Sequence, residues 1–226
     1  MNNNLQKILK KYSKNPMDIG LNIEVANEYF KLGHYSSCIS FCQRVSEYCN
    51  NDEIVYESLC TISECYARLG NRIEHVKVPA LHAINLIENK SQAYYYNSLI
   101  CEMRGEYYYA YTFAGLGCKY IDTYQEFKYF PNIIKPKNLI FNRAVNAFWY
   151  TRMDESKELF ISLYKDYDLD DSEIEQVKTN LFNSFGIDVL NEPLKTFHDL
   201  KTYDKKDYKF LINKYVPLKN NIPISA

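Results

Sequence analysis

An all-α array of about four helical hairpins is the fold this sequence predicts, on three observations. First, a chain with only seven glycines sets three of them in matching contexts. These are Lys31-Leu32-Gly33, Arg68-Leu69-Gly70 and Met103-Arg104-Gly105, spaced 37 and 35 residues apart. Second, apolar residues flank the turns at helical spacing. Val25, Ala26 and Tyr29 share a face before Gly33, and Cys38, Ile39 and Cys42 share one after it. Third, fixed offsets recur. A Tyr or Cys precedes each glycine by four (Tyr29, Tyr66, Cys101), and an aromatic follows the first and third by two (Tyr35, Tyr107). A small residue follows them by five (Cys38, Ala110), where two helices must touch closely. A glycine between two amphipathic runs reads as the residue just past a helix end, where a left-handed backbone is needed. One such turn makes a hairpin; a series at near-constant interval makes an array.

The elements follow in order. Residues 1–16 predict a capping helix on Leu5, Ile8, Leu9 and Tyr12, closed by Pro16. Residues 17–166 hold the repeats, at about 20–50, 56–88, 92–121 and 138–166. The second unit carries Pro79, which cannot donate its N–H, so its second helix should be broken or displaced near Val78. In the fourth unit Thr151 stands where the glycine should be, with Ser156 and Phe160 at packing positions of the second helix. Between units three and four, "IDTYQEFKYFPNIIKPK" is too long for a turn and reads as an inserted loop, ordered by its aromatics or mobile. Residues 167–226 predict C-terminal helices and a tail packing on the array. A helix on Ile174, Val177, Leu181 and Phe182 comes first, and a short helix and a Pro- and Asn-rich end follow Pro193.

"YFKLGHYSSCISFCQRV" and "MRGEYYYAYTFAGLGC", the latter with Ala110 and Ala114 at packing positions, resemble the tetratricopeptide repeat family. More specifically, residues 20–165 resemble the helical repeat region attached to some family-2-type glycosyltransferases of bacteria and large DNA viruses. The runs Tyr-Glu-Ser-Leu and Ala-Tyr-x-Phe-Ala carry that likeness, and the transferase catalytic domain itself is missing. The resemblance implies a TPR-like superhelical array whose first helices line a concave groove. The groove positions fall six and ten residues before each turn: Asn27 and Ile23, Glu64 and Cys60, Leu99 and Tyr95, Val145 and Phe141. Some members grip an anionic chain terminus with Lys, Asn and Arg at such positions. Only Asn27 fits here, and Glu64 would repel it. An apolar–aromatic groove remains, suited to an extended or helical segment with hydrophobic anchors. The alternative is a groove filled by the chain's own C-terminal tail.

Composition sets the remaining bounds. Hydrophobic residues make up 46% and charged residues 24%, as in soluble globular proteins, and the net charge of −1 argues against bulk attraction to nucleic acid or acidic membranes. The 22 tyrosines suit a wet binding surface, or reflect the codon bias of an AT-rich genome. Seven cysteines without a Cys-x-x-Cys pair read as buried packing residues in a reducing compartment, and no leader or membrane-length run is expected. A cytoplasmic protein follows. Cys38 and Cys42 share a face, yet no nearby pair completes a zinc site. Asp168-Leu169-Asp170 has the spacing of a metal-binding Asp-x-Asp, but it precedes a helix and reads as a cap. The four histidines (His34, His75, His82, His198) are scattered, and Gly115 and Gly117 lack the Lys-Ser/Thr of a phosphate loop. The expectation is a non-catalytic interaction scaffold without cofactor or metal, or an accessory region of a glycosyltransferase system. Its partner is then a protein or peptide segment, a glycosyltransferase being one possibility, and not nucleic acid or membrane.

Overall fold

The computed structural model describes residues 3–70 and 73–187, so the short helix and tail expected beyond Pro193 lie outside the described residues. Ten α-helices follow in this part of the chain, without a strand. Helix α1 (Asn3–Tyr12) precedes four hairpins: α2/α3 (Ile19–Lys31, Tyr35–Tyr48), α4/α5 (Asp52–Leu69, Lys77–Leu86), α6/α7 (Gln92–Met103, Tyr107–Cys118) and α8/α9 (Pro136–Trp149, Met153–Asp166). Helix α10 (Asp171–Phe185) comes last. Each helix packs chiefly on its neighbours in sequence, which is how a repeat array builds a continuous core from units that cannot bury their own faces.

Positive φ marks every turn, and three of the turns share one bonding pattern. Gly33, Gly70, Gly105 and Gly186 all have positive φ, and so does Thr151 at 64°. At Gly33 the N–H of His34 bonds the carbonyl of Tyr29 (2.9 Å) and that of Gly33 bonds Phe30 (3.0 Å). The same pair recurs at Gly105 and at Thr151, where Arg152 reaches Ala147 (2.7 Å) and Thr151 reaches Phe148 (3.0 Å). This is the double-bonded helix stop that favours glycine, so Thr151 holds a left-handed backbone against its β-branched side chain. Thr151→Gly should therefore stabilise the protein by about 1 kcal/mol in urea denaturation. Unchanged stability would mean that the threonine side chain offsets its own strain.

Gly186 falls 35 residues after Thr151, so α10 occupies the place of a first helix in a further unit. In the second unit a 3-10 turn (Ile73–Val76) replaces the start of the second helix, and α5 begins at Lys77. Pro79 thus lies in its first turn, where no N–H is required. Small residues seven before the turns (Ala26, Ser63, Ser98, Ala144) are all fully buried where paired helices meet. Ser98 Oγ donates to the carbonyl of Ala110 (2.7 Å), so a buried hydroxyl ties one helix to the next.

Helix α1 caps the array as its pattern suggests. Asn4 Nδ2 donates to Glu28 (2.9 Å), and the Tyr12 ring meets Phe41 edge-on at 5.2 Å. Two hydrophobic clusters fill the interior, one over α2 to α6 and one over α7 to α10. Tyr95 packs against both. Cys38 and Cys42 are fully buried in the first cluster, with sulfurs 3.8 Å apart. Burial drives the Cys42 thiol well above its ordinary range, as expected of a packing residue. Asp170 caps α10: its Oδ1 accepts the Glu173 N–H (2.9 Å), and Glu173 Oε2 accepts the Asp170 N–H (2.8 Å).

Candidate functional site

The inner face of the array is formed by the first helices α2, α4, α6 and α8, with α10 continuing the series. The insert, residues 121–135, covers half of it. It opens on a 3-10 turn (Ile121–Thr123) and is closed on itself by Tyr124, whose hydroxyl donates to the carbonyl of Ile134 (3.1 Å). It is thus an ordered Ω-like loop, the first of the two states its aromatics allowed.

Its seat is built from polar side chains that grip the main chain. Glu57 of α4 is 2% exposed, and its carboxylate accepts three successive N–H groups: Lys128 (2.9 Å), Tyr129 (2.8 Å) and Phe130 (3.1 Å). Asn27 of α2 donates to the Tyr129 carbonyl (2.7 Å), and Gln92 of α6 donates to that of Gln125 (2.8 Å). Between these clamps Phe130 and Ile134 are buried in the first core cluster, and Phe127 meets Tyr56 edge-on at 6.1 Å. A buried carboxylate without a cationic partner needs such donors, because burying an unpaired charge is otherwise prohibitive.

Four of the expected groove residues are therefore not available to a partner. Ile23 and Cys60 are buried in the cluster that holds Phe130 and Ile134, and Asn27 is committed to the insert. Glu64 is buried and paired with Arg68 at 2.6 Å. For Ile23, Asn27 and Cys60 the reason is long-range: a non-helical segment from beyond unit three folds back onto units one and two. Glu64 is instead taken by its own helix. The expected tail occupant lies outside the described residues.

The other four, Tyr95, Leu99, Phe141 and Val145, come together in an open cleft of about 270 Å³ between α6, α8 and α10. Each is half-buried. Phe141 leans edge-on against Phe160 at 5.7 Å, which fixes that wall. One end of the cleft is polar: Lys137 pairs with Glu173 (2.5 Å) and donates to the Asp168 carbonyl (3.1 Å). At the other end stands Glu102, whose Oε2 accepts the amides of Asn142 and Asn146, both at 2.7 Å. Burial raises its pKa despite those two amides. Burial, with help from the Glu64 and Glu102 carboxylates, pushes the Tyr95 phenol up to about 12, so it is neutral at physiological pH. Glu57, Glu102 and Lys137 were not among the residues expected from repeat position. No sequence signal set Glu57 apart, because α4 also carries Asp52, Glu53 and Glu64.

Among the described residues no group of three or more His, Cys, Asp or Glu side chains is arranged to hold a metal ion, and no helix is long and apolar enough to cross a membrane. What the cleft offers is apolar walls, a carboxylate acceptor and a neutral phenol. No protein-family model matches the chain, and no curated protein is significantly similar to it. The repeated turn and the half-filled groove are the features from which function is read.

Proposed function

We propose that this protein is a non-catalytic interaction scaffold, a divergent tetratricopeptide-type array that holds a partner segment in the cleft between α6, α8 and α10. One observation carries this reading: the same face already holds a non-helical segment, the insert, over α2, α4 and α6. The neighbouring stretch keeps apolar side chains at the equivalent positions and is unfilled by any described residue. Apolar surface gathered in a concavity is characteristic of an interface. Seven free thiols, six of them buried, suit the reducing cytoplasm.

The test uses near-isosteric, neutral changes. Peptides selected from a displayed random library on the wild-type protein should lose at least about tenfold in affinity for Leu99→Asn/Val145→Thr, because the apolar anchor site becomes polar. Circular dichroism should stay helical in that variant, with stability reduced by about 2 kcal/mol or less. Failure to select any peptide, or equal binding to both proteins, would remove the reading.

A further inference from the structure

The seated insert shows what kind of chain this face accepts, and the open cleft differs from that seat in charge. We infer that the cleft takes a non-helical segment pairing an aromatic or aliphatic anchor with an adjacent lysine or arginine, as the chain's own Phe127-Lys128 does. Such recognition presupposes the cleft to be a binding site, as proposed above, and adds the partner's conformation and charge.

Continuity is the first ground. The insert leaves its seat at Lys135, whose N–H is accepted by Asn138 Oδ1 (2.8 Å), and the cleft begins at that point with Lys137 and Asn138 in the first turn of α8. A partner segment there prolongs the path of a peptide already bound. Conformation is the second. The insert is held by its main-chain N–H and C=O groups, which an α-helix would have spent internally. A cleft of about 270 Å³ admits one or two large side chains of a non-helical chain, not a helix some 10 Å across.

Charge is the third. Lys137 is the single cation lining the cleft among the described residues, and Glu173 already takes it. Glu102 has only the amides of Asn142 and Asn146, both on Oε2. Among the described residues the Glu102 carboxylate has no cationic partner. An anionic segment or a free chain terminus is thereby rejected, and a cation beside the apolar anchor is drawn in.

The probe is a fluorescent peptide with the sequence of residues 124–136, titrated against the whole protein by anisotropy. Saturable binding is expected, weakened about tenfold by Glu102→Gln in the protein and equally by Lys128→Gln in the peptide. The two changes together should weaken it no further, since each removes the same contact. Binding indifferent to Glu102→Gln but lost in Leu99→Asn/Val145→Thr overturns the charge pairing and leaves the cleft as a binding site. Binding lost in Glu57→Gln but not in Glu102→Gln would put the peptide in the insert's own seat and overturn the inference. No binding of this peptide, while library peptides still bind the cleft, overturns it as well.

Discussion

Glu57→Leu should destabilise the protein by about 4 kcal/mol and unseat the insert. The change removes the carboxylate that Lys128, Tyr129 and Phe130 share as acceptor for their N–H groups. Two routes are then open. If the insert stays, its donors lose their partner, at about 1–3 kcal/mol for each one that remains buried. If it leaves, water satisfies the donors but Phe130 and Ile134 give up their burial, about 2 kcal/mol each. Both routes lead to a similar loss, and trypsin tells them apart. Detachment should speed cleavage after Lys128, since the Lys135 bond is blocked by Pro136, while an insert that stays seated should be cut at the wild-type rate. Unchanged stability with unchanged proteolysis would show that the three hydrogen bonds do not hold the insert. A detached insert would also leave Ile23 and Cys60 open to a partner, extending the groove to its full length.

The parts of this structure legible in the sequence are those written in local chemistry. The turns at Gly33, Gly70 and Gly105 announce themselves because a left-handed residue between two amphipathic runs has few alternatives. Thr151 was located by register alone, and it adopts the glycine conformation without being glycine. Asp170 as a cap and Pro79 as a displaced helix start are local too. The first-helix register of α10 was equally visible, in the interval from Thr151 to Gly186, but it can be counted only once Thr151 is known to be a turn.

What the sequence did not reveal depends on which distant segments meet. Asn27 meets the Tyr129 carbonyl across 102 residues, and repeat position says nothing about such an encounter. Hence Ile23, Asn27 and Cys60 look like groove residues by count but lie in the core around the insert or are bonded to it. Glu64 is paired within its own helix, whereas Tyr95, Leu99, Phe141 and Val145 line open space. Gly117 is a similar case. Within an apolar helix it looks arbitrary, yet a Cβ there would lie 2.7 Å from Leu139 Cδ2 and 2.9 Å from Tyr94 Cβ. The absence of a side chain is what lets α7 approach α8 and the start of α6. Arg143, in the run Arg-Ala-Val-Asn-Ala-Phe, gave no sign of being among the most deeply buried side chains of the protein.

Arg143→Met should destabilise the fold by about 3–5 kcal/mol, because it strands a carboxylate in the core behind the cleft. Arg143 and Glu155 are 1% and 2% exposed. Nε and Nη2 of the arginine reach Glu155 Oε1 at 2.8 and 2.5 Å, and Tyr111 donates its hydroxyl to Oε2 at 2.8 Å. The guanidinium also lies over the Tyr111 ring, 5.1 Å from its centre. Desolvating two ions is expensive, so the pair adds little net stability, yet removing one member leaves the other charged, buried and half-satisfied. The asymmetry supplies the check. Arg143→Met/Glu155→Leu, which removes both charges, should be more stable than either single change, and a double-mutant cycle by urea denaturation measures the difference. Loss in the double variant equal to the sum of the singles would mean that the two residues act independently and that the pair is not what joins α8 to α9. The consequence reaches the cleft. Asn142, which holds Glu102, and Phe141, which forms the wall, immediately precede Arg143 on α8. A single change that loosens α8 should therefore weaken peptide binding as well as stability. The charge-free double variant, with α8 packed again, should recover both.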